Sequence, residues 1–378
     1  MTTPFIFGKV ASAEYFTNRT EELNQLIQNF NSLLNTIIIS PRRWGKSSLV
    51  KKAANITVSQ STDIKFCFID MYNIRSEDQF YQLLSEEILK ASASKMKEIL
   101  EFSRNFLSQI IPKISFSPDV NNEFSISADW EQIIKQPDEI LDLAENIAKA
   151  KNIKFIICID EFQNISDFKE PVEFQKKLRS HWQHHQNVGY CLYGSKRHML
   201  LDVFSSQSMP FYKFGNLMFL DKISEEHWIP FIIDRFSSTG KNITAANAGL
   251  ICKLVENHSF YVQQLAHLSW VSTENECKKE IILNAHEKLL LQLSYLYQTN
   301  TDGLSNTQIY FLHALLKGEE KFSSKDMIKK YKLGTSANVS RIKQALENKE
   351  VIEITGGKID FNDPVYKSWL KEHYFQLR

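Results

Sequence analysis

Cysteine, glycine and surplus charge are all scarce in this sequence. Its 378 residues include five cysteines and 12 glycines, and the formal net charge is +1. The cysteine count is odd and no Cys-x-x-Cys pair occurs, which argues against a disulfide framework or a zinc site and favours buried free thiols. Because the chain is nearly neutral, binding of nucleic acid or of an anionic membrane would have to come from a local patch.

Long apolar segments and targeting signals are missing as well. The run Phe155–Ile159 is far shorter than the ~20 apolar residues that a membrane-spanning helix needs. No basic segment followed by an apolar stretch comes after Met1, so a signal peptide is not expected. We therefore expect a cytoplasmic protein without a membrane partner.

The residues that are present provide apolar bulk for more than one core. Apolar residues make up 43% of the chain and charged residues 24%, which is typical of globular proteins. A chain of this length exceeds what one core usually supports, so two or three domains are expected.

The first half of the chain alternates short apolar runs with amphipathic segments. An order of strand, helix and strand builds a parallel sheet in an α/β fold. Near residues 112–130 the rhythm changes to two short runs of alternating apolar and polar residues, which predicts a hairpin inserted into this core. The predicted strands of the sheet are Thr36–Ile39, Ile64–Met71, Lys154–Asp160 and Val188–Tyr193.

The turn after the first predicted strand has the residue types of a phosphate-binding loop. The run Ser40-Pro41-Arg42-Arg43-Trp44-Gly45-Lys46-Ser47 has Walker A spacing, with serine at the first glycine position. Backbone N–H groups and a helix start attract phosphate here, and Gly45 permits close approach. Lys46 would contact the β and γ oxygens, and Ser47 would bind Mg²⁺. A chance Gly-Lys-Ser is the alternative, against which the flanking strand and helix argue.

A second motif follows more than a hundred residues later. The apolar strand Lys154–Asp160 ends in Asp160 and Glu161, which is the Walker B pattern. Carboxylates at the carboxyl edge of a parallel sheet lie where such sheets bind ligands. Asp160 would hold the hydrated Mg²⁺, and Glu161 would orient the attacking water or accept its proton. An ordinary strand that ends in solvated acids is the alternative reading.

Further polar residues follow the strand Val188–Tyr193. Ser195 occupies a position where P-loop ATPases often sense the γ-phosphate, and a plain turn serine is an equal alternative. Lys196 and Arg197 could stabilise negative charge, although solvated loop charges are favoured. Arg42 and Arg43 are better candidates for anion contact because they lie in the loop itself.

Together these motifs resemble the archaeal-type ATPases, which are AAA+-like members of the STAND group of P-loop NTPases. The resemblance covers most of the chain, from Phe5 to about Leu370. The segments that carry it are Phe16-Thr17-Asn18-Arg19-Thr20-Glu21-Glu22-Leu23, Pro41-Arg42-Arg43-Trp44-Gly45-Lys46-Ser47-Ser48-Leu49, Ile159-Asp160-Glu161-Phe162-Gln163, Gly194-Ser195, Phe260–Leu265 and Phe361–Pro364.

The resemblance implies a parallel-sheet core, a helical lid, a C-terminal winged helix, and ATP with Mg²⁺ as ligands. It places Asn18 and Arg19 close to the base or ribose and the loop through Ser48 around the phosphates. The sequence departs from the family at Ser40, in place of a glycine-like residue, and at Asn257-His258-Ser259, where the lid tends to have a Gly-x-Pro turn.

The C-terminal pattern of three helices and a Gly-Gly hairpin predicts a winged helix-turn-helix. Its third helix has Arg341 and Lys343, and its wing tip has Lys358. Residues 301–378 contain 13 Lys/Arg against 10 Asp/Glu, which is less basic than a typical DNA reader. The acids Glu347, Glu350 and Glu353 stand beside the candidate recognition surface. A packing or protein-interaction role is therefore favoured over DNA reading.

One cluster of histidines is a candidate metal site separate from the nucleotide site. His181, His184 and His185 share a predicted helix face at a spacing that could hold a metal. No further ligand is placed to complete the shell, so a hydrated helix face is the favoured reading.

We predict an α/β P-loop ATPase of three domains that acts as an ATP-driven conformational switch. The domains are an ATPase core at 1–222, a helical lid at 223–300 without strands, and the winged helix at 301–378. One alternative is a DNA-associated regulator controlled by ATP. The other is a non-hydrolysing interaction platform, and the presence of both Asp160 and Glu161 argues against this second alternative. An unidentified protein partner and a nucleotide-dependent oligomer stay open.

Overall fold

A computed structural model describes residues 3–9, 16–92, 115–118, 124–127 and 137–377. The chain forms two compact units. We call Ser12–Asp221 the sheet unit, and Met1–Ala11 together with Lys222–Arg378 the helical unit.

The sheet unit is built around five parallel strands. Their order is β2-β5-β6-β1-β7, so the first strand in the chain lies inside the sheet. Parallel pairing aligns the last residues of neighbouring strands: Asp70 pairs with Asp160, and Ile39 pairs with Gly194. The strands are β1 (Thr36–Ile39), β2 (Ile64–Asp70), β5 (Lys154–Asp160), β6 (Val188–Gly194) and β7 (Asn216–Phe219).

Helices cover both faces of this sheet. On one face, Ile37 and Ile39 of β1 join a core formed with α3, α5, α6 and α7, while Ile38 joins the core on the opposite face with α1 and α2. Two-sided burial explains why the inner strands are continuous apolar runs. The helices are α1 (Thr20–Asn31), α2 (Lys46–Gln60), α3 (Glu77–Ser92), α4 (Asp138–Leu141), α5 (Leu143–Lys151), α6 (Pro171–Trp182) and α7 (Arg197–Ser205).

A two-stranded antiparallel ribbon separates α3 from α4. Strands β3 (Ser115–Pro118) and β4 (Phe124–Ser127) pair with Ser115 opposite Ser127, as the alternating pattern predicts. The predicted turn between them lies outside the described residues.

The sequence prediction omitted two elements of the sheet unit. Strand β7 forms one edge of the sheet, and of its residues only Met218 is buried. The segment Leu217–Leu220 is apolar, but Leu217 and Phe219 are exposed, so this edge strand lacks the two-sided burial of the inner strands. Helix α7 begins at Arg197, where the sequence predicted loop charges.

The helical unit consists of helices and short strand pairs. Strands β8 and β9 are two residues each and pair in parallel, which corrects the prediction that this region has no strand. The elements are α8 (Glu225–Ser237), β8 (Asn242–Ile243), α9 (Ala245–Leu254), α10 (Ser259–Val271), β9 (Glu276–Cys277), α11 (Lys279–Asp302), α12 (Asn306–Leu316), α13 (Lys325–Lys330), α14 (Ser336–Asn348), β10 (Ile352–Thr355), β11 (Lys358–Phe361) and α15 (Pro364–Trp369), followed by a π-helical turn, Leu370–Tyr374.

One hydrophobic core runs through the whole helical unit, including the winged helix. Helix α11 crosses the predicted boundary at residue 300 without a break. Asp363 accepts hydrogen bonds from the hydroxyls of Tyr261 (2.6 Å) and Tyr297 (3.1 Å), which joins α15 to α10 and α11. Trp369 donates to Ser294 Oγ at 2.7 Å. The predicted lid and winged helix therefore form one packed body.

The N-terminal segment belongs to the helical unit. Phe5 is 1% exposed and packs edge-to-face against Phe236, with ring centroids 5.7 Å apart. The sheet unit consequently begins after this segment, whereas the sequence places the start of the ATPase core at residue 1.

Two expectations from composition can be compared with the structure directly. All five cysteines are free and buried, as their spacing predicts. Among the described residues, no helix has both the length and the apolar character needed to cross a membrane.

Candidate nucleotide-binding site

The turn between β1 and α2 has the backbone conformation of an anion-binding loop. Arg43 and Gly45 both have left-handed backbone angles, with φ of 64° and 94°. A Cβ on Gly45 would meet no protein atom within 4 Å, so within the chain it is the left-handed backbone, and not a neighbouring residue, that favours glycine here. Gly45 caps α2 without a side chain, and the first helical turn contains no acidic residue. No acidic side chain in this first turn compensates the positive end of the α2 dipole, which therefore favours binding of an anion.

Lys46 lies across this turn. Its Nζ donates to the carbonyl oxygens of Ser40 and Pro41, each at 3.1 Å, and the residue is 6% exposed. A buried ammonium held against the loop places positive charge beside the N-terminus of α2. This is the charge that a triphosphate requires at this position.

The two predicted motifs meet at Ser47 and Asp160. Ser47 Oγ donates to Asp160 Oδ2 at 2.8 Å, although 113 residues separate them. Burial raises the pKa of Asp160, the Ser47 hydrogen bond opposes this, and the charge of Glu161 adds to it. A hydroxyl and a carboxylate are the oxygen ligands that Mg²⁺ accepts, with phosphate oxygens completing the shell. The donor set therefore fits the predicted ion.

Glu161 is held next to this pair by its backbone and its side chain. Its φ of 52° is left-handed, and its N–H donates to Asp160 Oδ1 at 2.9 Å. Ser195 donates to Glu161 Oε2 through its N–H (3.2 Å) and its hydroxyl (2.9 Å). The structure thus brings Ser195, Asp160 and Glu161 together at one edge of the sheet.

Gln163 is a site residue that the sequence reasoning left without a role. It lies in the 3₁₀ turn Phe162–Asp167 after β5, and its Nε2 donates to Glu161 Oε2 at 2.5 Å. The sequence signal was its place in the segment Ile159–Gln163, two residues after Glu161. Spacing alone does not reveal this contact.

Asn18 and Arg19 have other partners than the loop. Both have left-handed backbone angles. Arg19 is 5% exposed and donates to Glu22 Oε1 (2.8 Å) and to the carbonyl oxygen of Asp221 (2.6 Å). Contact with a base or ribose stays a prediction for these two residues.

The remaining loop residues differ in exposure. Arg42 and Arg43 are exposed, whereas Pro41, Trp44 and Ser48 are half-buried. Their contacts with phosphate stay predictions.

Lys196 and Arg197 are half-buried, which corrects their description as solvated loop charges. Lys196 is the N-cap of α7, and the Arg197 guanidinium lies 5.5 Å from the ring centroid of Phe219. Arg197 thus begins a helix and lies over an aromatic ring of the edge strand.

The predicted histidine face is partly buried. Asp142 Oδ1 lies 2.9 Å from His181 Nδ1 and 3.0 Å from His185 Nε2, and His185 Nδ1 lies 2.7 Å from Tyr190 Oη. The His185 side chain is 2% exposed, so the prediction of a hydrated helix face is wrong for this residue. His184 is exposed. No group of three metal-ligating side chains occurs in the described ranges.

Comparison with protein families identifies the C-terminal region. Residues 295–372 match a family described as a probable winged helix domain. A comparison with curated protein sequences gave no match.

Several solved structures share the architecture over nearly the whole chain. The Walker-type ATPase Paby2304 of Pyrococcus abyssi is 16% identical with a TM-score of 0.68, and the similarity covers 98% of this chain and 100% of that one. The Aeropyrum pernix ORC2 protein, solved as ADPNP-ADP complexes, is 13% identical with a TM-score of 0.59 over 96% and 94% of the chains. The Aeropyrum pernix ORC1 protein in complex with DNA is 11% identical with a TM-score of 0.52 over 99% of both.

These similarities confirm the predicted fold. The chain has the AAA+-like P-loop ATPase architecture, with a parallel central sheet and a C-terminal winged helix. At identities of 11–16% they establish the fold alone.

Proposed function

We propose that this chain is a magnesium-dependent ATP hydrolase in which nucleotide binding drives a conformational switch. The observation that carries the proposal is the 2.8 Å hydrogen bond from Ser47 to Asp160. It joins a cationic, glycine-capped helix start to a pair of carboxylates at the carboxyl edge of a parallel sheet. Solved structures with the same fold include a Walker-type ATPase and a protein complexed with ADPNP and ADP.

Each residue has a distinct role in this proposal. The loop Pro41–Ser48 surrounds the phosphates, and Lys46 neutralises the β and γ oxygens. Ser47 and Asp160 would hold Mg²⁺, which would supply further neutralisation of the charge on the phosphates. Glu161 orients a water molecule for attack on the γ-phosphate and accepts its proton. Ser195 fixes Glu161 through the two hydrogen bonds that it donates.

The switch would act on the connection between the two units. The chain leaves the sheet unit after Asp221, and Arg19 holds the carbonyl oxygen of that residue at 2.6 Å. A nucleotide that contacts Arg19 would compete for this guanidinium. We propose that ATP binding at Asn18 and Arg19 thereby alters the connection to the helical unit.

The wider assignments from the sequence belong to the same proposal. They are a helical lid within 223–300, membership of the STAND group, a cytoplasmic location, an unidentified protein partner and a nucleotide-dependent oligomer. Size-exclusion chromatography with light scattering tests the oligomer, since elution unchanged by ATP or by a non-hydrolysable analogue would contradict it.

Calorimetry with ATP and Mg²⁺, followed by phosphate-release assays, tests the proposed ATPase activity. The wild-type chain should bind ATP and release phosphate only with Mg²⁺. Lys46→Ala should abolish binding, because it removes the buried charge beside the α2 N-terminus. Lys51→Ala, at an exposed position of the same helix, is the matched control and should bind as the wild type does. Absence of wild-type binding would overturn the proposal.

Duplex DNA binding is a second candidate function, and the surface of α14 favours it. Its exposed face has no acid, and Glu347 is half-buried. Ser336, Ser340 and Gln344 follow one helical row at intervals of four residues. Such polar side chains and arginine can contact base edges in the major groove. The exposed residues of the helix are Ser336, Ala337, Ser340, Arg341, Gln344 and Asn348.

A basic hollow next to this helix could hold the DNA backbone. Lys325, Lys329 and Lys332 line it, together with Ser323, Ile328, Gly334 and Ser336. Lys358 at the wing contributes less, because it forms an ion pair with Asp360 at 2.8 Å. One solved structure with this fold is a complex with DNA.

A salt titration of duplex binding tests this second function. Changing Lys325, Lys329 and Lys332 to Gln should weaken DNA binding. The slope of log K against log salt concentration should also fall by roughly one for each lysine that contacts a phosphate. Lys371→Gln, an exposed lysine elsewhere in the helical unit, is the control. Binding that is absent, or insensitive to salt, would exclude this function.

A further inference from the structure

Gln163 is a buried polar residue beside the proposed general base. It is 1% exposed and lies in the 3₁₀ turn that follows β5. Its Nε2 donates to Glu161 Oε2 at 2.5 Å. A polar side chain buried this completely usually has a bonding role, because burial removes it from water.

The orientation of the Gln163 amide follows from the charge on its partner. An ionised carboxylate only accepts hydrogen bonds, so the amide must turn its NH₂ group toward Glu161. Its Oε1 then has no hydrogen-bond partner and is buried. The chain therefore leaves one amide oxygen unsatisfied in order to direct a donor at Glu161.

The last residue of β6 makes room for this amide. A Cβ on Gly194 would lie 1.8 Å from Gln163 Oε1 and 3.0 Å from its Cδ. Any side chain at this position would displace the amide from Glu161. Gly194 also precedes Ser195, so one strand end supplies both the space for Gln163 and the other two donors to the carboxylate.

Three hydrogen bonds thus converge on a single oxygen of Glu161. The donors to Oε2 are Ser195 N–H, Ser195 Oγ and Gln163 Nε2. Within the described residues, none of the side-chain hydrogen bonds involves Oε1 of Glu161. One carboxylate oxygen is fixed by the protein, and the other remains for a water molecule.

We infer that Gln163 is a positioning residue for hydrolysis, which orients the Glu161 carboxylate so that its second oxygen can take a proton from water. The inference rests on the proposed ATPase function. A residue with only a packing role would affect folding and stability, whereas a positioning residue affects turnover at unchanged nucleotide affinity.

The test compares Gln163→Met with Gln175→Met. Methionine keeps approximately the volume of glutamine and removes the donor. Gln175 is also 1% exposed with an unsatisfied Oε1, but it lies on α6 and donates no hydrogen bond to Glu161, so it controls for loss of a buried amide. Gln163→Met should lower kcat by roughly 10–100-fold with KM and ATP affinity within about twofold. Gln175→Met should retain the wild-type kcat.

Two further variants keep the inference testable if Gln163→Met folds poorly. Gln163→Glu is isosteric and replaces the amide donor by a carboxylate oxygen, which can no longer donate to Glu161 Oε2 and repels it. It should therefore lower kcat at least as far as Gln163→Met does. Gly194→Ala should lower kcat in the same way as Gln163→Met, because its methyl group displaces the amide.

The possible outcomes separate the two proposals. Turnover by the wild type together with an unchanged kcat in Gln163→Met or in Gln163→Glu would overturn the inference and leave the ATPase function intact. A wild-type chain without magnesium-dependent turnover would overturn both.

Discussion

Replacing Glu161 by glutamine should separate nucleotide binding from hydrolysis. The substitution keeps the shape of the side chain and removes its ability to accept a proton. A glutamine carbonyl oxygen can occupy the place of Oε2 and accept the same hydrogen bonds from Ser195 and Gln163. The amide NH₂ group then faces the position proposed for the attacking water and cannot take a proton from it.

The expected free-energy changes indicate that Glu161→Gln slows hydrolysis more than it destabilises the fold. Three hydrogen bonds to a carboxylate become bonds to a neutral oxygen, which weakens each by about 1 kcal/mol. Relief of the buried charge offsets part of that cost. Removal of a general base lowers turnover by roughly 10²–10⁴-fold, or about 2.7–5.4 kcal/mol in the barrier. Binding should be unaffected, because Lys46, Ser47 and Asp160 are unchanged.

Calorimetry and single-turnover phosphate release measure the two quantities separately. Glu161→Gln should bind ATP with Mg²⁺ at wild-type affinity and release phosphate at least ~100-fold more slowly. Glu170→Gln, at an exposed position that follows the same 3₁₀ turn, makes the same change of charge and should hydrolyse ATP normally. Wild-type turnover by Glu161→Gln would refute the assignment of the general base.

Two further predictions concern stability. Asp363→Ala should lower the free energy of unfolding by roughly 2–4 kcal/mol in urea denaturation. It removes the N-cap of α15 and the acceptor of the Tyr261 and Tyr297 hydroxyls, and because these hydroxyls lie 3.2 Å apart, only one of them can still donate to the other. Asp360→Ala, in an exposed ion pair of the wing, should leave the midpoint nearly unchanged, and equal effects of the two substitutions would contradict this account. Burial lowers the pKa of His185 despite its acidic neighbours, so the folded chain holds a neutral imidazole that the unfolded chain protonates near pH 6.5. The free energy of unfolding should therefore fall as the pH drops below about 6.5. In urea titrations between pH 7.5 and 5.5, His185→Gln should reduce the slope of the free energy of unfolding against pH. A slope identical to that of the wild type would contradict the role of His185.

The inner strands and the turn between β1 and α2 could be predicted because local sequence determines them. Strands β1 and β5 are covered on both faces, so their burial produces unbroken apolar runs. The loop before Lys46 needs a left-handed residue, a cation and a hydroxyl at fixed spacing. Both signals lie within short segments and are readable without tertiary structure.

Other features depend on contacts between distant segments and were not predictable. Strand β7 exists because β1 offers it a pairing edge, while its own side chains are mostly exposed. Gln163 acquires its role from the left-handed backbone of Glu161 and the missing side chain of Gly194. His185 is buried because Asp142 and Tyr190 meet it from other elements. The pattern of residues along the chain does not reveal these tertiary contacts.

The unbroken helix α11 connects the two ends of the helical unit rigidly, so a tilt at one end is transmitted to the other. Its 24 residues extend about 36 Å at 1.5 Å per residue, with the winged helix packed against its C-terminal half. A tilt of about 10° at the first turn would displace the last turn by roughly 6 Å, a distance near one helical pitch. A small tilt at the first turn of α11 would thus displace the winged helix at its other end by about one helical pitch.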